Sequence, residues 1–188
     1  MKKTRTGNSR ELLIDAAEAV VLRDGGSTLT LDAVAAEAKV SKGGLLYHFP
    51  SKDALIEAMI ERLIRTFTAS LELALQSEPP TRGRFARALV RAMFDRPPEL
   101  AEKESRMSAS LLAGVANQPR LLDPLRNAYA RWMKAVAADG LPPGRSMAVF
   151  AALDGIWLWS LFGIYQPTPT QLRAIRIVLE ELIATDAS

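Results

Sequence analysis

A chain of 188 residues, 48% of them hydrophobic, has enough apolar content to fill a core, either in one ordinary domain or in a small domain resting on a larger one. It has no cysteine, which excludes disulfides, cysteine-ligated metals and thiol catalysis. Net charge is only +3, but Lys2, Lys3, Arg5 and Arg10 all come before the first acid, Glu11. Such a basic arm suits either phosphate contact or a solvated tail.

No hydrophobic stretch follows Lys2 and Lys3, so a signal peptide is not expected and the protein is read as cytoplasmic. Met147 to Ile164 approaches spanning length, with polar side chains only at Asp154 and Ser160. A central aspartate costs about 2.5–3.5 kcal/mol in a membrane, and no second span accompanies it. The segment is therefore read as a buried helix of a soluble protein, with no membrane partner.

Taken in order, Asn8-Ser9-Arg10-Glu11 has the form of a capping box. Leu13, Ala16, Ala17, Val20 and Val21 then mark one face of a helix that Gly25-Gly26 ends. Thr30 caps a second helix, with Leu29 and Val34 as its hydrophobic staple and Val34, Ala35 and Ala38 as a narrow apolar stripe. The chain breaks at Lys39-Val40. Ser41 caps a third helix, stapled by Val40 and Leu45, which Pro50 stops. Cap, short helix, tight turn, cap and short helix make a helix-turn-helix. The third helix opens on Lys42, Gly43 and Gly44, with Tyr47 one turn on. The glycines weaken it by about 1 kcal/mol each against alanine. They either bare the backbone for a large polyanion or relieve crowding between helices.

Ser51 caps a fourth helix with the pattern Leu55, Met59, Leu63, Phe67, Leu71 and Leu75, about 40 Å long at 1.5 Å per residue. It reads as a rigid strut from a domain of residues 1–52 into one of residues 53–188. Further helices carry Phe85, Leu89, Met93 and Phe94; then Met107, Leu111 and Leu112; then, from Pro119, Leu122, Leu125, Tyr129, Trp132, Met133 and Val136. The loop 140–144 precedes two apolar helices. In the first, Phe150, Leu153, Trp157 and Leu161 share one face, and Ile156 and Trp159 another. The last has Leu172, Ile175, Leu179, Leu182 and Ile183 as its stripe. A helix apolar all round must be covered all round, so these two helices predict a homodimer through a four-helix interface. The expected fold is all-α with about nine helices: a three-helix N-terminal helix-turn-helix domain joined by a long helix to a larger helical ligand-binding and dimerisation domain.

Ala16-Ala17, Gly25-Gly26, T-L-D-A-V-A at 30–35 and V-S-K-G-G-L-L-Y-H-F-P-S-K at 40–52 resemble the TetR/AcrR family of transcriptional regulators. The resemblance covers roughly Leu12 to Leu55. It implies a dimeric helical repressor released from its operator by a small molecule. Carried over position by position, it makes Thr30, His48 and Lys52 phosphate contacts, beside Ser41. It places Lys42, Gly43, Gly44 and Tyr47 against base edges, where lysine donates to guanine O6 and N7 and a tyrosine ring packs on a thymine methyl. The chain departs from the family at Lys39, where glycine is usual, and at Leu46, where a phosphate-contacting tyrosine is common. His48 has a second reading as packing beside Phe49, a core residue, and Lys52 as a solvated lysine.

Phe94, Met107, Leu111, Tyr129, Trp132, Met133, Trp157 and Phe162 are candidates to line an effector cavity, or else ordinary core and interface. Asp154 needs a partner, which could be a helix end, an arginine or a cationic ligand. No catalytic residue, metal ligand or cofactor is expected. The single histidine, His48, lies in the helix-turn-helix, and Glu102/Glu104 and Glu180/Glu181 read as solvated faces. Two functions remain: a ligand-responsive regulator of double-stranded, pseudo-palindromic DNA, and an architectural or interaction protein that binds DNA without a ligand.

Overall fold

The computed structural model describes residues 4–115, 118–142 and 144–184, and among these the structure is all-helical. The elements are α1 (Thr4–Asp24), α2 (Leu31–Glu37), α3 (Lys42–His48), α4 (Lys52–Ser77), α5 (Arg84–Phe94), α6 (Pro98–Val115), α7 (Asp123–Ala137), α8 (Arg145–Leu161) and α9 (Pro169–Ala184). Short 3-10 turns lie at Gly26–Thr28 and Pro119–Leu122. No helix among the described residues is long and apolar enough to cross a membrane.

Three hydroxyls start three helices at the same spacing. Thr30 Oγ1 accepts from the Ala33 N–H, Ser41 Oγ from Gly44 and Ser51 Oγ from Ala54, each at 3.1 Å. The helix expected to begin at Asn8 begins earlier. Because α1 starts at Thr4, Asn8 lies inside it rather than at its start. Asparagine and serine are only mildly unfavourable inside a helix, so their capping preference yields to continuation. Arg5 and Arg10 of the expected basic arm are helical too, and Arg10 lies over the Phe49 ring at 5.1 Å. Lys2 and Lys3 lie outside the described residues.

The turn between α2 and α3 closes on Lys39 in the left-handed conformation, φ 55°. The Lys39 N–H donates to Ala36 O at 3.1 Å and the Val40 N–H to Ala35 O at 3.0 Å, the two bonds of a Schellman motif. A lysine there costs about 1 kcal/mol that glycine would not. Leu29, Val34 and Leu45 are buried as their staple positions require, but Val40 is 43% exposed. The second staple is therefore open.

Two compact units emerge, and neither is continuous in sequence: residues 1–64 with 106–125, and residues 65–105 with 126–188. A cut at residue 52 does not follow this division. In the first unit, Leu13, Ile14, Val20, Val34, Leu45, Phe49, Leu55 and Met59 share a core with Met107, Leu111, Val115 and Leu121. The second half of α6 completes this core because Met107, Leu111 and Val115, spaced four apart, lie along one helical face. At Gly26 the approach is backbone to backbone: a Cβ would stand 1.9 Å from Ser110 O. On α4, Arg62 pairs with Asp15 at 2.5 Å, Glu18 at 3.6 Å and Glu11 at 3.8 Å, tying the first half of α4 to α1.

The second unit packs Leu71, Leu89, Val90, Val136, Val149, Leu153, Leu179 and Ile183. Gly83, left-handed at φ 78°, precedes α5 and has no side chain to cap it. Asp139 does so from across the fold. Its carboxylate accepts from Phe85 N–H at 2.6 Å, Ala86 N–H at 3.0 Å and Ser146 Oγ at 3.0 Å. A buried carboxylate is tolerated there because three donors and a helix N-terminus face it.

Candidate functional site

The first unit offers water a polar face built on α2 and α3. Lys42, Gly43, Gly44 and Tyr47 are all exposed, Tyr47 by 79%. A Cβ at Gly43 would meet nothing within 4 Å, and one at Gly44 only Ser41 Oγ at 3.3 Å. Crowding between helices is therefore not why these positions are glycine. The helix spends stability on a bare backbone.

Lys42 is not idle in the free protein. Its Nζ lies 3.0 Å and 3.1 Å from the two Asp32 carboxylate oxygens, so α2 holds the first side chain of α3. Both partners are largely exposed, which makes the pair weak and easily exchanged for another anion. Nothing in the sequence pattern points to Asp32 as this partner. Thr30 and Ser41 are exposed at their helix starts, and each spends an oxygen lone pair on its cap and keeps a hydroxyl hydrogen to donate. The His48 ring packs edge-on against Tyr47, centroids 5.1 Å apart and planes at 84°, whereas Phe49 is buried in the core as expected. Lys52 is half-buried at the first position of α4. Leu46 is 37% exposed on the same short helix. The eight residues singled out from sequence thus fall on one short stretch, and the structure adds Asp32.

The nine candidate effector residues do not gather in one place. Met107 and Leu111 belong to the core of the first unit, for the reason given above. Phe162 ends α8 in water, 63% exposed, because the helix stops there and the chain turns away through Gly163. Trp157 is half-buried and has no ring neighbour among the described contacts. Phe94 and Met133 pack on the core of the second unit, with the Arg176 guanidinium 6.0 Å over the Phe94 ring.

Tyr129, Trp132 and Asp154 do come together. The Tyr129 hydroxyl donates to Asp154 Oδ1 at 2.5 Å, across 25 residues of sequence. Burial first, and then the neighbouring carboxylate, push the Tyr129 phenol well above its ordinary range, so it remains a donor. Its ring lies 5.4 Å from Trp132 and 5.7 Å from Phe150, and Trp132 lies 5.2 Å from Phe67. Phe150 and Phe67 carry helix patterns in the sequence and nothing more. Only the fold sets them beside Tyr129 and Trp132.

Glu104, expected on a solvated face, is half-buried against Arg96. Burial lowers the Arg96 pKa from its ordinary value. Glu180, by contrast, sits exposed against Arg176 at 2.8 Å.

Residues 13–59 match the family described as bacterial regulatory proteins, tetR family, and residues 83–184 match the tetracyclin repressor-like C-terminal domain. The chain is 28% identical over 193 residues to the HTH-type transcriptional regulator BetI of Paraburkholderia phymatum, covering 95% of each. It is 32% identical over 101 residues to the nucleoid occlusion factor SlmA of Edwardsiella ictaluri, covering 53% of this chain and 51% of that one. The second likeness therefore spans about half the relative's length. Among solved structures, the multidrug binding protein EbrR complexed with malachite green superposes with a TM-score of 0.66 at 31% identity, over 94% of this chain and 98% of that one.

Proposed function

The chain belongs to the tetR family of bacterial regulatory proteins, and we propose that it acts as a homodimeric repressor, bound to a pseudo-palindromic operator and released by a small molecule. The observation that carries the DNA-reading half is the exposed, glycine-bared face of α3. Lys42 exchanges Asp32 for guanine O6 and N7, and the Tyr47 ring packs on a thymine methyl beside it. Thr30, Ser41, His48 and Lys52 hold phosphates and fix the register without reading sequence.

Support for the dimer is the apolar surface left in water on the last two helices. Met147, Leu158 and Trp159 on α8 are exposed, as are Ile177 and Val178 on α9. Two copies would cover these faces with one four-helix interface. Half-sites read by such a pair lie about 34–36 Å apart or at multiples of that, so a shift of a few ångströms releases the protein. The second unit is the proposed effector site, and the likeness to EbrR, a protein crystallised with malachite green, supports it. Both α4 and α6 contribute residues to each unit and are the candidate carriers of the signal.

A mobility-shift assay with Lys42→Ala and Tyr47→Ala proteins of wild-type melting temperature tests the reading helix. Each variant is expected to lose about tenfold or more in specific affinity. Undiminished binding by both overturns the assignment. Leu158→Glu, followed by sedimentation, is expected to give a monomer.

A further inference from the structure

Among the described residues, the left-handed conformation falls to Gly25, Gly83, Gly140, Gly144 and Gly163, and to Lys39 at φ 55°. The chain places glycine wherever else its backbone turns this way, so the lysine is the exception. It stands in the turn that leads into α3. A side chain in that conformation is strained, and strain that persists marks a residue kept for something besides packing. Packing does not explain it: Lys39 is exposed, while Val34, Ala35 and Leu45 on either side of the turn are buried. Nor does a favourable charge at the end of α2. The exposed last residue of that helix, Glu37, is a place for an unstrained cation and holds an acid instead.

The charge of Lys39 is also left over. Both acids of α2 are engaged elsewhere, Asp32 with Lys42 at 3.0 Å and Glu37 with Arg23 at 2.8 Å. Among the described residues no acid pairs with Lys39. Lys42 follows three positions later, at most about 11 Å along the chain, so the ammonium lies beside the reading face. A single ammonium on a flexible stem has no fork to grip a free anion and is strongly hydrated. A polyanion already held by α3 is different, because it brings a phosphate to the lysine in a fixed register. Base edges are the poorer match: reading them needs a side chain held in the groove, and nothing buttresses this one.

We infer that Lys39 is a further DNA contact of this protein, holding a backbone phosphate at the edge of the groove that α3 enters, and that the strained turn is kept for that contact. The lysine adds affinity and fixes register without reading sequence. The inference rests on the DNA-reading role proposed for α3 and adds a residue outside that helix. Binding of the full chain is followed by anisotropy across a salt series, on the operator recovered by site selection and on a scrambled duplex.

Lys39→Gly and Lys39→Gln should each weaken binding to both duplexes by about three- to tenfold, and lower the slope of log affinity against log salt by about 0.9 for each chain bound. Lys39→Arg should keep the wild-type affinity and slope. Lys39→Gly should melt no lower than the wild type, because the turn loses its strain. Lys134→Gln, which removes an equal exposed charge from the second unit, should change neither affinity nor slope. Unchanged slopes in both neutral variants, a loss confined to the operator, or an equal loss in Lys39→Arg or Lys134→Gln overturns the contact. A Lys39→Gly protein that melts below the wild type overturns the strain on which it stands. If the Lys39 variants bind as the wild type does while Lys42→Ala loses specific binding, only the further contact fails. If Lys42→Ala and Tyr47→Ala keep specific binding while the neutral Lys39 variants lose slope, the reading helix fails and the contact stands.

Discussion

The candidate sites of the two compact units are assembled in opposite ways. In the first, the helix caps and the reading face are local, even though Arg62 ties α4 to distant acids of α1. Three hydroxyls each cap a helix three residues away, and the reading face lies within one short stretch. In the second, polar contacts are made at a distance: Asp139 reaches Phe85 and Ala86 across more than fifty residues, and Tyr129 meets Asp154 across 25. A site read by DNA must be exposed and can be built on a small, self-capped scaffold. A site that encloses a ligand must gather side chains from several helices. Removing polar groups one at a time should therefore cost fold in the second unit and mainly function on the reading face of the first.

The largest expected effect is at Asp139. Asp139→Ala leaves the part-buried Phe85 and the buried Ala86 N–H groups at the start of α5 without partners and should destabilise the protein by about 3 kcal/mol, measured by urea unfolding. A loss below about 1 kcal/mol would mean that water replaces it. Gly26→Ala comes next. Its Cβ would collide with the Ser110 carbonyl, backbone against backbone, and should cost about 2–3 kcal/mol as α6 is pushed from the first core. An unchanged melting temperature would contradict that close approach.

Ser41→Ala removes one exposed cap and should cost about 1 kcal/mol, sharpening the contrast with Asp139. Asp32→Asn is expected to have the smallest effect on stability, below about 0.5 kcal/mol, since its pair with Lys42 is exposed. It should instead raise affinity for any DNA by a few-fold and steepen the salt dependence, by freeing Lys42 and removing a negative charge from the reading face. A fall in specific affinity would show that Asp32 orients Lys42 rather than competing for it.

The same contrast explains what the sequence reveals. Caps, turns and staples are short-range, so Thr30, Ser41, Ser51 and the stop at Pro50 are legible, and the left-handed Lys39 can be anticipated from where glycine is usual. The start of α1 is not, because Asn8 and Ser9 fit inside a helix nearly as well as before one. Asp154 is visible as an oddity in an apolar helix, but its phenol partner and aromatic neighbours are set by packing between helices. Helical periodicity marks Met107 and Leu111 as buried without saying in which core, and they prove to serve the first. Phe162 is misleading for a related reason: an aromatic at a helix end carries no sign of which side faces water.

A pair of α3 helices is proposed to read DNA through Lys42 and Tyr47. Binding-site selection from random duplexes tests it most directly, using the wild-type chain and the Lys42→Ala/Tyr47→Ala double variant. The wild type should recover an inverted repeat whose half-sites lie one helical turn or a multiple apart, and the double variant should retain only salt-sensitive binding with no consensus. Recovery of the same repeat by both proteins, or of no repeat by the wild type, would contradict the claim.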